Sequence, residues 1–184
     1  MKFIFLGIQG SGKSTQAKLL AEKLGLPYIE MGQLFRDKRA DDDEDAHKIR
    51  QTIDQGKLVP DELARRTLKK RLASQDCRKG YVLDGYPRNE AQLTALDKDI
   101  DKVFNVKISD SEAIRRLMLR GRYDDNRESL QKRMGWHHKD TEPIISKFKE
   151  MGILEEVDGE RSIEEIHQDI KEKVSNYEKQ LDQN

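Results

Sequence analysis

Apolar residues follow two alternating rhythms along this chain. Phe3-Ile4-Phe5-Leu6, Tyr81-Val82-Leu83 and the stretch from Val103 to Ile108 are short, nearly continuous apolar runs, as strands buried on both faces require. Leu26 to Glu30 and Leu154 to Val157 read as two further short strands. Between these runs, apolar positions recur every three or four residues in otherwise polar segments, which is the period of a helix with one buried face. Ala17, Leu20 and Leu24 form one such set, Ala46, Ile49 and Ile53 a second, and Leu63, Thr67 or Leu68, and Leu72 a third. Ala113 to Leu119, with Leu117 among its apolar positions, forms another, and Ile163, Ile166, Ile170 and Val174 mark the last. Gly25, followed by Pro27, stops the first helix and Gly56 the second. A further helix beginning near Asn126 carries Arg133, is weakened at Gly135 by about 1 kcal/mol relative to alanine, and is restarted or kinked at Pro143.

Strands that alternate with helices predict an α/β fold: a five-stranded parallel sheet, doubly wound, with right-handed crossovers and helices on both faces of a three-layer sandwich. A length of 184 residues fits one domain, residues 1–184. The polar, helical stretch from residue 30 to 59 reads as an insertion on that core. Its acidic run, Asp41 to Asp45, lies at a helix N-terminus, where carboxylates favour the dipole.

Charge and cysteine usage narrow the function. Thirty-five basic and 35 acidic residues cancel, and no basic stripe is found, so nucleic acid is not an expected partner. The N-terminal apolar run is far shorter than a signal or membrane segment, which predicts a soluble, cytoplasmic protein with no membrane partner. Cys77 is the sole cysteine, which rules out an internal disulfide and a four-cysteine zinc site. His47, His137, His138 and His167 lack ligand spacing, so no protein-held metal is expected.

The chemistry enters at GIQGSGKST, Gly7 to Thr15, which follows the first strand and opens the first helix. It matches G-x-x-x-x-G-K-[ST] at every fixed position. Gly7, Gly10 and Gly12 allow bare backbone N–H groups to face an anion, Lys13 reaches the outer phosphates, and the helix presents its positive end to the same charge. Ser14 is placed to join a magnesium shell, and Asp84, at the carboxyl end of Tyr81-Val82-Leu83, is a candidate Walker-B acid. In GYPRNEAQ, Arg88 and Gln92 are four residues apart, read here as helical spacing that turns both toward one crevice. Arg120, Arg122 and Arg133 are three more cations that either converge on one site or belong to an exposed charged turn.

With these residues in view, the whole chain resembles the adenylate kinases among the nucleoside monophosphate kinases. GIQGSGKSTQ resembles the family's GxPGxGKGTQ loop, MGQLFR its STGDLLR, GKLVPDEL its GxLVPDE, and YVLDGYPRNEAQ its DGFPR signature. RGRYDDNRESLQKR, TEPII and VDGERSIEEI are similar to GRxDDNxExxxKR, TxPLI and VDGxxxxxEV.

The resemblance implies a P-loop NTPase-type fold, transfer of phosphate from ATP to AMP giving two ADP, magnesium arriving with ATP, no zinc, and a monomer. It implies that Gly10, Ser11, Gly12, Lys13, Ser14 and Thr15 cradle ATP, with Arg120 stacking on its adenine and the Arg161 backbone nearby. Met31, Arg36, Lys57, Leu58, Val59, Gly85, Tyr86, Pro87, Arg88 and Gln92 would form the AMP site. There Arg36 and Arg88 hold the phosphate and Gln92 reads the base, while Arg122 and Arg133 reach across the transferred group. The lid, residues 119–127, is of the short form. The chain departs from the family pattern at Gln9 for proline, Ser14 for glycine, Met31 for the threonine beside the AMP base, and His137 for tyrosine. A UMP/CMP kinase is the rival reading, in which asparagine usually stands at the place of Gln92.

Overall fold

The strands are short, three to six residues each. In the computed structural model, which describes residues 1–54, 57–94, 96–120 and 127–183, they are β1 Lys2–Leu6, β2 Tyr28–Glu30, β3 Tyr81–Asp84, β4 Lys102–Lys107 and β5 Leu154–Asp158. They form one sheet in the order β2-β3-β1-β4-β5, with all pairs parallel. β1 lies at the centre, where Ile4 pairs with Leu83 on one side and Val103 on the other. The order reverses at β1, so the loop leaving its carboxyl end opens into the crevice between β3 and β4 where such sheets hold ligands.

Alternation along β1 supplies a core on each side of the sheet. Phe3 and Phe5 face α1 (Lys13–Leu24) and α9 (Ile163–Leu181), packing with Val82, Phe104 and Val106 against Ala17, Leu20, Ile166, Ile170 and Val174. The Phe5 and Phe104 rings stack with centroids 5.1 Å apart. Ile4 and Leu6 face the other layer with Leu83 and Val103, meeting Ala64 and Leu68 of α4 (Asp61–Leu72) and Ile144, Ile145 and Phe148 of α8 (Glu142–Glu150). Helices thus cover both faces, as the two rhythms predict.

The remaining helices are α2 (Met31–Lys38), α3 (Glu44–Asp54), α5 (Glu90–Thr94), α6 (Asp110–Arg120) and α7 (Arg127–Trp136). α9 begins with a reciprocal cap in which Ser162 and Glu165 satisfy each other's backbone N–H groups. Residues 31–54 leave the sheet as α2 and α3, and Phe35, Ile49 and Ile53 form a small apolar cluster with Val59 and Leu63. The expected stop at Gly56 and the helix start at Asn126 lie outside the described residues.

One local reading changes, and a second is narrowed from two alternatives to one, a helix restarted at Pro143. Arg88 is not helical: α5 begins at Glu90, and Arg88 sits in the loop after the cis Tyr86–Pro87 bond. Pro143 does not kink a continuous helix. It lies in the first turn of α8, where its missing N–H costs nothing, and the join to α7 is a π-helical turn over His137–Thr141. Cys77 is buried in a 3₁₀ turn, Gln75–Lys79, and burial pushes its thiol above the usual range, so it stays an inert thiol.

Candidate active site

Two glycines shape the loop after β1. Gly12 caps α1 with φ 88°, a conformation in which a side chain is strained. Gly7 has φ 140°, and a Cβ there would run into the Val106 carbonyl. The loop is therefore pinned against β4 at one end and turned into α1 at the other, aiming backbone N–H groups at one point.

That point opens into a cleft of about 730 Å³. Gly10, Gly12, Lys13, Ser14 and Thr15 line it from the loop, and Arg36, Arg88, Arg120 and Arg133 reach it from four different elements or loops. Enclosure holds the Lys13 ammonium below its ordinary value; Asp84 opposes that effect, Arg88 adds to it, and Glu30 opposes it again. Burial likewise draws down Arg88, with Asp84 opposing and Arg133 reinforcing. The cleft thus crowds cations against few anions, an arrangement that gains when a polyanion arrives.

The anions present are specific. Asp84 is buried at the end of β3; its Oδ2 accepts from the Tyr28 hydroxyl at 3.0 Å, while among the described residues its Oδ1 accepts no hydrogen bond. Ser14 acts on the Tyr28 hydroxyl against the upward push of burial and Asp84, and Asp84 acts on Lys13, so these four groups share one part of the cleft. A hard cation carried in with phosphates suits this donor set, because one buried carboxylate oxygen is unused and hydroxyl oxygen stands next to it. Among the described residues no group of three or more His, Cys, Asp or Glu side chains is placed to hold a metal by itself.

Glu30 does not stand out in the sequence. Its Oε1 accepts from Arg36 Nη2 at 2.8 Å, and Gln33 Oε1 accepts from Arg36 Nε at 3.0 Å and Nη2 at 2.9 Å. This guanidinium is therefore held by Glu30 and Gln33 at the edge of the cleft. Gln9 stands where the resembling loops have proline, and its Oε1 accepts from Arg133 Nη1 at 3.3 Å.

Beyond the phosphate region the cleft is lined by Met31, Lys57, Leu58, Val59, Gly85, Tyr86, Pro87 and Gln92. Gln92 is 6% exposed and engaged by the protein at both ends of its amide: Oε1 accepts from the Arg88 backbone N–H at 2.8 Å and Nε2 donates to Asp61 Oδ1 at 2.8 Å. Asn89 caps α5 by accepting from Gln92 N at 2.9 Å and donates to the same Asp61 oxygen at 2.7 Å. Thr141 Oγ1 donates to the Arg88 carbonyl at 3.0 Å, tying the start of α8 to this loop.

Met31 is at once lining and core. It is 2% exposed and packs with Ile4, Leu6, Ile29, Leu83 and Tyr86. Met31→Thr removes buried volume and inserts a hydroxyl, at a cost of about 1.5–3 kcal/mol, so melting is expected to fall by roughly 5 °C. Scanning calorimetry of the two proteins measures this; an unchanged melting temperature would mean that position 31 is not a core position.

His137 also lines the cleft, and burial pushes it down to about 4 while Glu142 opposes and His138 and Lys13 assist. It is neutral at pH 7. Since its folded value lies below the unfolded value of about 6.5, the unfolded chain binds more protons between those limits. Its contribution is complete above about pH 6.5 and is lost as the pH falls toward 4. His138 runs the other way: Glu142 and Asp110 raise it, so its contribution is present below about pH 6.5 and fades above the raised value. Replacing His137 with phenylalanine is expected to shrink the stability lost between pH 7 and pH 5 by about 1–2 kcal/mol. Urea melts of both proteins at the two pH values read this difference directly, and equal losses in both would count against a depressed His137.

Not every expected residue meets the cleft. Ser11 is buried beneath the loop and does not line the cleft, and among the described residues its Oγ has no hydrogen-bond partner. Arg161 turns its side chain to Asp169 at 2.6 Å and lies in a shallow groove along α9, away from the lining. Arg122, and the lid from residue 121 to 126, lie outside the described residues. Asp61, Asn89, Tyr28 and Thr141 act through partners distant in sequence, and Glu30 through Arg36 across a strand-to-helix junction; the signal for each is proximity to a motif.

Comparison with known proteins matches this geometry to a family. A model of the family described as adenylate kinase matches residues 5–153. The chain is 35% identical to the adenylate kinase of Archaeoglobus fulgidus, with 92% of this chain and 96% of that one covered. It is 37% identical to the adenylate kinase of Thermobifida fusca, covering 91% and 95%. It is 39% identical to that of Bifidobacterium longum, covering 90% and 95%. A family match across most of the length, on a five-stranded parallel sheet covered by helices on both faces, makes this chain a phosphotransferase that belongs to the adenylate kinase family.

Proposed function

We propose that the protein moves the γ-phosphoryl group of magnesium-bound ATP to AMP, giving two ADP, with Lys13, Arg88, Arg133 and Arg122 as the charge-stabilising groups. The observation that carries this reading is the single cleft that joins the phosphate loop to Arg36, Arg88 and Gln92. ATP lies on Gly10 to Thr15 with Arg120 at its adenine; AMP lies against Met31, Lys57, Leu58, Val59 and Gly85 to Arg88. Magnesium supplies charge neutralisation when it enters with ATP, and Ser14 and Asp84 are the residues that would face it.

No general base is needed. The second pKa of a phosphate monoester is about 6, so the attacking oxygen of AMP is already anionic at pH 7. What the protein must overcome is repulsion between polyanions and competition from water. The cations of the cleft offset the repulsion, and closure of the 30–59 insertion and the lid would exclude water. Arg36 takes part when phosphate displaces Glu30. The balanced charge, 35 against 35, supports free nucleotides rather than nucleic acid as partners, and we read the protein as a cytoplasmic monomer. Among the described residues no helix is long and apolar enough to cross a membrane.

Steady-state ADP formation from magnesium ATP with AMP, CMP, UMP or GMP tests the reading. AMP is expected to exceed CMP and UMP by at least about tenfold in kcat/KM. Equal rates with CMP would favour a UMP/CMP kinase instead.

A further inference from the structure

We infer that Asp61, which does not line the cleft, sets which nucleobases the acceptor site takes by locking the orientation of the Gln92 amide; this rests on the placement of AMP proposed above. An amide has two N–H donors on one end and two lone pairs on the other. A flip exchanges the two ends with almost no change of shape. Here both neighbours dictate one choice. Asp61 Oδ1 only accepts and lies 2.8 Å from Nε2, while the Arg88 N–H only donates and lies 2.8 Å from Oε1. A flipped amide would set carbonyl against carboxylate and N–H against N–H. Asp61 is itself fixed by Asn89, whose Nδ2 donates to the same oxygen at 2.7 Å and whose Oδ1 caps the helix bearing Gln92.

The lock leaves Gln92 one N–H and one lone pair in fixed order. Adenine offers an amino donor beside a ring-nitrogen acceptor, and cytosine offers the same pair. Guanine and uracil offer the reverse, a carbonyl beside a ring N–H. A fixed amide therefore accepts bases with an amino group at purine C6 or pyrimidine C4 and rejects those with an oxo group there, whatever the ring size. Discrimination between adenine and cytosine must come from shape, which the walls at Met31, Leu58 and Val59 supply. The motif alone assigns Gln92 the whole of the selection; the hydrogen bonds divide it between an amide and the carboxylate that orients it.

Two ratios isolate the effect from ring size: kcat/KM for AMP over GMP, and for CMP over UMP. In Asp61→Ala both are expected to fall about tenfold, mainly through KM, since a bond to a charged acceptor no longer opposes the flip. Asp61→Asn should restore most of both ratios, because its carbonyl can accept the same two bonds. Asp61 is only partly buried at the first residue of α4, where alanine is well tolerated, and thermal melts verify folding. If Asp61→Ala lowers all four acceptors by one common factor, or leaves both ratios intact, the inference is wrong. Gln92→Ala separates the two levels. Should Gln92→Ala leave both ratios at their original values, the acceptor-base placement itself fails; should it collapse them while Asp61→Ala does not, only the role of Asp61 fails.

Discussion

Lys13→Met is expected to lower kcat on the order of a thousandfold while the protein melts at the same temperature or slightly higher. The two halves of that result have one cause. Lys13 is enclosed enough that its ammonium is held below its ordinary value, so the folded chain gains nothing from carrying the charge there. Methionine has a similar length and no charge to desolvate, which leaves the loop and α1 in place. On the proposed reading, the same ammonium in the loaded cleft would face the phosphate oxygens of the group being transferred. Cations in that position are worth about 10³ or more in rate, roughly 4 kcal/mol. Stopped assays with saturating ATP and AMP, beside a thermal melt, measure both halves. Near-normal turnover in a folded Lys13→Met protein would remove the phosphate-loop assignment.

Arg88→Lys is the second large effect, and it separates geometry from charge. The guanidinium keeps Nε on the Gly85 carbonyl at 2.9 Å and presents the rest of its fork to the cleft beside Lys13 and Arg133. Lysine keeps the charge and loses the fork, so it cannot hold a phosphate through two parallel bonds while staying anchored to Gly85. A fall of roughly 10²-fold in kcat/KM is expected, with both KM for AMP and kcat affected, because the lost contact both binds the acceptor and aligns it. The KM for ATP should change much less. An Arg88→Lys protein with an unchanged AMP KM would place Arg88 away from the acceptor phosphate.

What is legible in the sequence follows from how each part is encoded. The sheet and its two covered faces are readable because β1, β3 and β4 carry nearly continuous apolar runs and the helices repeat at three or four. The phosphate loop is readable because its function belongs to backbone, and backbone conformation is set by local glycines such as Gly12. Arg88 illustrates the boundary: the motif puts it in the cleft, but its spacing from Gln92 reads as helical in the sequence, whereas the connection is a backbone-to-side-chain bond in a loop. The partners of these residues are not legible. Glu30 reaches Arg36 across a strand-to-helix junction, and Asp61 reaches Gln92 from 31 positions away. His137 offers no ligand spacing, and its depressed protonation arises from enclosure by elements that no periodicity brings together. Such features arise only once the chain has folded.

Tracing the γ-phosphoryl group tests the central claim most directly. With ATP labelled at the γ-phosphorus, excess AMP and magnesium, the account predicts label in the β-phosphate of ADP derived from AMP, with two ADP formed per ATP consumed and little free phosphate. Label released as inorganic phosphate, or ATP left unconsumed while AMP is bound, would contradict it.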